Sequence, residues 1–278
     1  MGHKNCKKAD NRVIIIAEIG ENHIGDMNIA RTLIRQAAGA GVDYVKFQSY
    51  KPQNFRINDP EYKWFKRICL SDAAHFMLKE YAQKHNVGFL SSPFSLERAR
   101  FLRETLGLKY MKVASGMLLN FPVLDYLNCT GIQTIFLSTG MATTREIRAA
   151  LAHLKKIKKI YLLHCVSQYP CKDEEANLLA INFMQKKFIG YDIGYSDHTI
   201  GYLASILAVG LGARVIEKHF TLDKDAKEGT DHILSADPEE LKDMVSKIRR
   251  VGVLLGAKKK EPALNESKIK HFIRNRFI

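Results

Sequence analysis

The sequence predicts an α/β fold, a single-domain (β/α)8 TIM barrel, and three observations carry that reading. Strand-sized runs rich in β-branched residues recur eight times, amphipathic stretches of helical period separate them, and polar residues collect at the far ends of the runs. The runs span 13–19, 44–48, 87–91, 110–114, 134–138, 160–165, 191–195 and 214–219. Asp26 opens a helical stretch before Ile29, Leu33, Ile34 and Ala37, Thr143 with Glu146 reads as a capping box, and Asp237, Pro238 and Glu240 precede Leu241, Met244 and Ile248. Eight alternations favour a closed barrel over an open sheet. A length of 278 residues with 46% hydrophobic content is enough for one such core. The reading is one domain over 1–278, with a short polar N-terminus over 1–11 and a basic tail over 257–278.

Composition narrows the function classes. The apolar runs are too short to span a bilayer, and the first eleven residues lack the apolar stretch of a signal peptide, so a soluble, cytoplasmic protein with no membrane partner is expected. The five cysteines show no CxxC spacing and predict reduced thiols rather than a zinc site or a disulfide framework. A formal charge of +14 raises the question of nucleic acid. Much of the excess lies in Lys155, Lys156, Lys158 and Lys159, and in a tail holding Lys258 to Lys260, Lys268, Lys270, Arg274 and Arg276. No stacking or groove-reading motif accompanies these charges. They read as a solvated face that attracts anionic substrates.

The polar residues gather instead at strand ends. Glu18, Lys46, Gln48, Ser92, Lys112, Ser115, Ser138, Ser167, Ser196, His198 and His219 all sit at or just after a run's C-terminal end, where a parallel barrel has its mouth. His198 and His219 close neighbouring strands and can reach one cation. Two imidazoles with water and substrate oxygens suit Mn2+, Co2+, Fe2+ or Zn2+ better than Mg2+ or Ca2+. Lys46 and Lys112 point into the same mouth, where two buried cations ask for an anion such as phosphate or carboxylate. Ser115 with Gly116, and Ser138 with Thr139 and Gly140, add hydroxyls and open backbone amides. Glu18 offers a carboxylate for an ion pair or for proton transfer, with Asn22 and His23 just beyond it. Period two turns Glu217 inward with His219, as a lysine partner, and Lys218 outward to the helices. Asp231, after the last strand, adds an oxygen donor near the histidines.

Read in order, AEIGENHIGD at 17–26, VKFQ at 45–48, SSPF at 91–94, KVASG at 112–116, STGMA at 138–142, HCVSQYP at 164–170, GYSDHT at 194–199 and EKHFTLD at 217–223 resemble the N-acetylneuraminate (sialic acid) synthase family. The resemblance implies a (β/α)8 barrel that condenses phosphoenolpyruvate with an amino sugar aldehyde to a nine-carbon 2-keto-3-deoxy acid, with release of phosphate. It makes His198 and His219 the ligands of a divalent metal, with Mn2+ first and Co2+, Mg2+ or Zn2+ as alternatives. It gives phosphoenolpyruvate to Lys46, Lys112, Ser115, Ser138 and Ser196, with Glu217 in the catalytic set. Glu18, Gln48, Tyr169 and Asp231 then orient the acceptor or the reacting water, while Asn22, Ser92 and Ser167 complete the substrate contacts. A homodimer is the implied assembly.

Two departures bear on the acceptor. Ser167 stands where many sialic acid synthases have Asn, and those enzymes usually continue into a small antifreeze-like domain that covers the partner's site, whereas this chain stops at Ile278. A separately encoded cap, or the aromatic-rich stretch 51–67 with Phe55, Tyr62, Trp64 and Phe65, is expected to supply the cover. The rival readings are a related phosphoenolpyruvate-dependent synthase using another aldose, and a non-catalytic barrel subunit.

Overall fold

The computed structural model describes residues 12–229, 231–256 and 259–276, so the segment 1–11 and parts of the expected basic tail lie outside the described residues. Eight parallel strands appear where the alternation places them: β1 (Ile14–Gly20), β2 (Tyr44–Ser49), β3 (Gly88–Pro93), β4 (Tyr110–Val113), β5 (Thr134–Ser138), β6 (Lys159–His164), β7 (Asp192–Asp197) and β8 (Val215–His219). Their ladder runs β3-β2-β1-β8-β7-β6-β5-β4, a nearly closed barrel with its seam between β3 and β4. The surrounding helices are α1 (Met27–Ala40), α2 (Tyr62–Ile68), α3 (Asp72–Lys84), α4 (Leu96–Arg100), α5 (Phe121–Cys129), α6 (Thr144–Ala152), α7 (Ala180–Lys187), α8 (Leu203–Gly210), α9 (Pro238–Leu254) and α10 (Leu264–Arg274).

Local chemistry sets the helix starts. The Asp26 carboxylate accepts from the amides of Asn28 and Ile29, and Thr143 and Glu146 exchange hydrogen bonds as a capping box. Asp237 caps α9, with Pro238 at its first position. Two elements differ from the sequence expectation. The stretch 51–67 contains α2 rather than loop alone, and the tail contains α10, where Glu266 accepts from the amide of Ala263 at 3.1 Å. The four described cysteines, Cys69, Cys129, Cys165 and Cys171, are free thiols. Among the described residues no helix is long and apolar enough to cross a membrane.

Strand periodicity divides the apolar residues in two. Outward side chains such as Ile15, Val45, Ile135 and Ile216 join the large core between sheet and helices, including Leu33, Ile34, Leu241 and Met244. Inward ones, Ile16, Leu90, Phe136, Leu163 and Val215, fill the barrel axis as one layer. Gly194 belongs to that inward set, and a Cβ there would come within 2.7 Å of the Val215 carbonyl, so only hydrogen fits. Two residues further along, the inward position becomes polar on most strands, as at Glu18, Ser92, Ser138, Ser196 and Glu217, and those side chains line the mouth.

Candidate active site

A cavity of 540 Å³ opens at the C-terminal end of the barrel. Of the residues expected there, Glu18, Lys46, Gln48, Ser92, Lys112, Ser115, Ser138, Ser167, Tyr169, Ser196, His198, Glu217, His219 and Asp231 line it. Asn22, also expected among the substrate contacts, is not among the residues that line this cavity. Its amide donates to the Phe220 carbonyl at 3.0 Å and to Ser235 Oγ at 2.9 Å, tying the turn after β1 to the segment after β8.

The floor is an ionic quartet. Lys46 Nζ lies 3.1 Å from Glu18 Oε2 and 3.3 Å from Glu217 Oε2, and Lys112 Nζ lies 3.3 Å from Glu217 Oε1. Ser196 Oγ donates to Glu217 at 3.0 Å. All four ionisable groups are buried. The lysines therefore already have internal counter-charges, and an anion is not needed merely to neutralise them. Burial works against the charge of Glu217, but the facing Lys112 and Lys46 overcome it and hold the carboxyl at about 2. For Glu18 burial prevails over Lys46 and pushes the carboxyl up to about 7. Lys46 overcomes its own burial because two carboxylates face it, and its pKa rises. Lys112 is depressed by burial, which Glu217 offsets only in part. Glu217 is thus the fixed charge of the quartet, and Glu18 is the member able to take or give a proton near neutrality.

Beside the quartet the wall offers unused hydroxyls. Ser92 Oγ and Ser138 Oγ are buried without a hydrogen-bond partner, an arrangement that favours a ligand able to bond them. Ser115 Oγ accepts from the Gly140 amide at 3.0 Å and lies 3.1 Å from Cys165 Sγ. A Cβ at Gly140 would sit 2.8 Å from Ser115 Oγ, so the glycine is what lets backbone and hydroxyl meet.

The histidines close the opposite side, with ring centroids 5.4 Å apart. His198 Nδ1 donates to the Val166 carbonyl at 2.5 Å, which leaves Nε2 bare. His219 Nδ1 lies 3.3 Å from Asp231 Oδ2. Burial lowers His198 to about 4 and His219 to about 3, so both are in the neutral form that binds metal. Among the described residues no three His, Cys, Asp or Glu side chains form a ready metal cage. The pair suits a cation that takes its other ligands from water and substrate. Tyr169 packs 4.2 Å from the His198 ring.

Other lining residues escaped sequence reasoning. Cys165 shares the inward parity of Leu163 and could have been read from it. Glu21, Glu61, Tyr50 and Phe94 come from turns that no periodicity governs. The stretch 51–67 does reach the mouth, where Phe55 and Phe65 stack at 4.3 Å and line the cavity, while Trp64 Nε1 donates to Glu21 at 2.5 Å.

Lys218 points outward, as period two requires, yet it is fully buried. It lies 3.5 Å from Asp197 and donates to the Thr199 carbonyl at 2.6 Å, while Ser205 Oγ donates to Asp197 at 2.6 Å. This network holds the residues flanking both histidines. Lys218→Met is expected to destabilise the fold by about 2 kcal/mol, because Asp197 keeps its hydroxyl and amide donors but loses its counter-ion. Urea unfolding checks it, and an unchanged midpoint would mean that the pair contributes nothing.

A polar mouth with buried lysines, carboxylates and neutral imidazoles on a parallel barrel defines an enzyme that handles small anionic and hydroxylated substrates. The chain belongs to the NeuB family, whose model matches residues 33–260. It is 40% identical over 286 residues to N,N'-diacetyllegionaminic acid synthase of Campylobacter jejuni, covering 96% of this chain and 84% of the relative. Identity to N-acetylneuraminate-9-phosphate synthase of Mus musculus is 35% over 263 residues, covering 89% and 72%. The crystal structure of N-acetylneuraminic acid (sialic acid) synthetase from Leptospira borgpetersenii, in complex with citrate, is similar with a TM-score of 0.89 and 36% identity, covering 95% of this chain and 92% of that one.

Proposed function

We propose that the chain condenses phosphoenolpyruvate with the open-chain aldehyde of an N-acetylmannosamine-like amino sugar, giving a nonulosonic acid of the sialic type and phosphate. Family membership supports the reaction class. The observation that carries the reading is the pair of buried, partnerless hydroxyls of Ser92 and Ser138 beside two lysines and two neutral imidazoles in one cavity.

In this reading Lys46, Lys112, Ser115, Ser138 and Ser196 hold phosphoenolpyruvate, with Ser92 and Ser167 completing the polar wall. Glu217 pairs with both lysines and holds them aimed inward. A divalent metal on His198 and His219, Mn2+ ahead of Co2+, Mg2+ or Zn2+, supplies Lewis acidity toward the acceptor carbonyl when bound. The enol carbon then bonds to the aldehyde carbon, whose oxygen takes up a proton. Water adds at the phosphate-bearing carbon, and the C–O bond to phosphate breaks as the keto group forms. Glu18, near neutrality in its titration, takes the proton of that water. Gln48, Tyr169 and Asp231 orient the acceptor. Action in the cytoplasm as a homodimer belongs to the same proposal.

The test is phosphate release from phosphoenolpyruvate with Mn2+ and a panel of N-acylated hexosamines. No release with any aldose rejects the reaction. Lys112→Met is expected to weaken phosphoenolpyruvate binding by about 2 to 5 kcal/mol and acceptor binding far less. Calorimetric titration of each substrate measures this, and equal losses would contradict the division of the site.

A further inference from the structure

The family leaves one property of the acceptor undecided, since its members include a synthase named for a 9-phosphate product and others that are not. We propose that this chain takes an unphosphorylated N-acylated aldose, and that Glu21 and Glu61 at the outer end of the cavity exclude a phosphate on it; the inference rests on the condensation proposed above. The charges lining the cavity are distributed unevenly. Lys46 and Lys112 are its lysines among the described residues, and both are engaged by Glu217. The cavity wall adds three more carboxyls, Glu21 from the turn after β1, Glu61 ahead of α2 and Asp231 after β8. These lie close enough together that, after burial, Asp231 and Glu61 help push the Glu21 carboxyl up to about 7.

The basic residues of the covering stretch do not line the cavity. Lys51 pairs with Glu97, and Arg67 pairs with Glu228 at 2.9 Å and lies over the Trp64 ring. Arg56, Lys63 and Lys66 are exposed to solvent. Bound phosphoenolpyruvate brings roughly three negative charges of its own. A second phosphate at the acidic end would then face carboxylates with no lining cation to meet it. Hydroxyl and amide N–H groups, by contrast, are donors that carboxylates accept. The stacked rings of Phe55 and Phe65 offer a flat apolar surface for an acyl methyl group.

The experiment compares N-acyl hexosamines as pairs, each sugar with and without a 6-phosphate, at pH 8 with phosphoenolpyruvate and Mn2+. In every pair that turns over, kcat/KM is expected to favour the unphosphorylated sugar by at least about 100-fold. Glu61→Lys is expected to narrow that ratio at least about tenfold by improving the phosphorylated member, with the KM for phosphoenolpyruvate unchanged. Equal or better turnover of phosphorylated sugars by the wild type overturns the inference while leaving the condensation intact. A ratio unmoved by Glu61→Lys removes Glu61 from the exclusion. Absence of phosphate release with every sugar of both kinds rejects the condensation, and the inference with it.

Discussion

His219→Ala is expected to leave a folded barrel that releases phosphate from phosphoenolpyruvate at least about a thousandfold more slowly than wild type, and His198→Ala to do the same. A Lewis acid contributes several kcal/mol of charge stabilisation, and each 1.4 kcal/mol is tenfold in rate. Among the described residues there is no full cage, so in the proposed site the protein would supply two nitrogens and either loss would remove half of its own ligands. The effect should appear in kcat as well as in KM. Calorimetric titration with Mn2+ gives a second readout, in which each variant loses tight binding. Chelator-treated wild type working at full rate would dismiss the metal assignment.

Glu217→Gln is expected to destabilise the fold by about 3 to 5 kcal/mol, the range for breaking a buried ion pair by removing one partner. Here two ammonium groups, on β2 and β4 with only β3 between them around the barrel, lose the carboxylate they share from β8. The folded-state pKa of Glu217 lies below its ordinary value of 4.5, at about 2, so its ionised form contributes stability above pH 4.5 that is lost as pH falls toward 2. The gap in unfolding free energy between wild type and Glu217→Gln should therefore be full at pH 6 and shrink below pH 4.5. Denaturant unfolding across that range measures it. A gap that widened in acid would mean that the carboxylate is not held ionised by the lysines.

Within each strand, the reach of sequence reasoning follows from a single number, the two-residue period of the pleat. Ile16 and Glu18, or Val215, Glu217 and His219, must face the same way once the run is a strand, so the inward lining of the mouth was legible before any coordinates. The caps at Asp26, Thr143 and Asp237 were equally legible, because their partners lie two or three residues away. Turns offer no such period. Asn22 follows Glu18 closely in sequence, and the turn between them carries its amide to Phe220 and Ser235. Glu21, one residue earlier, was turned toward the cavity instead.

The sequence by itself determined the strands, their inward faces, the helix starts and the identity of the groups at the mouth, since all of these are properties of neighbours within a few residues. Barrel closure decided the rest. It brought Lys112 on β4 across the axis to Glu217 on β8, and so turned two apparently uncompensated lysines into members of a charge-balanced quartet. It also buried Lys218 against Asp197 under α8, and set Glu21, Glu61 and Asp231 around one opening. These pairings join residues tens to hundreds of positions apart, and electrostatic energy depends on separation and burial in space, which no local pattern encodes.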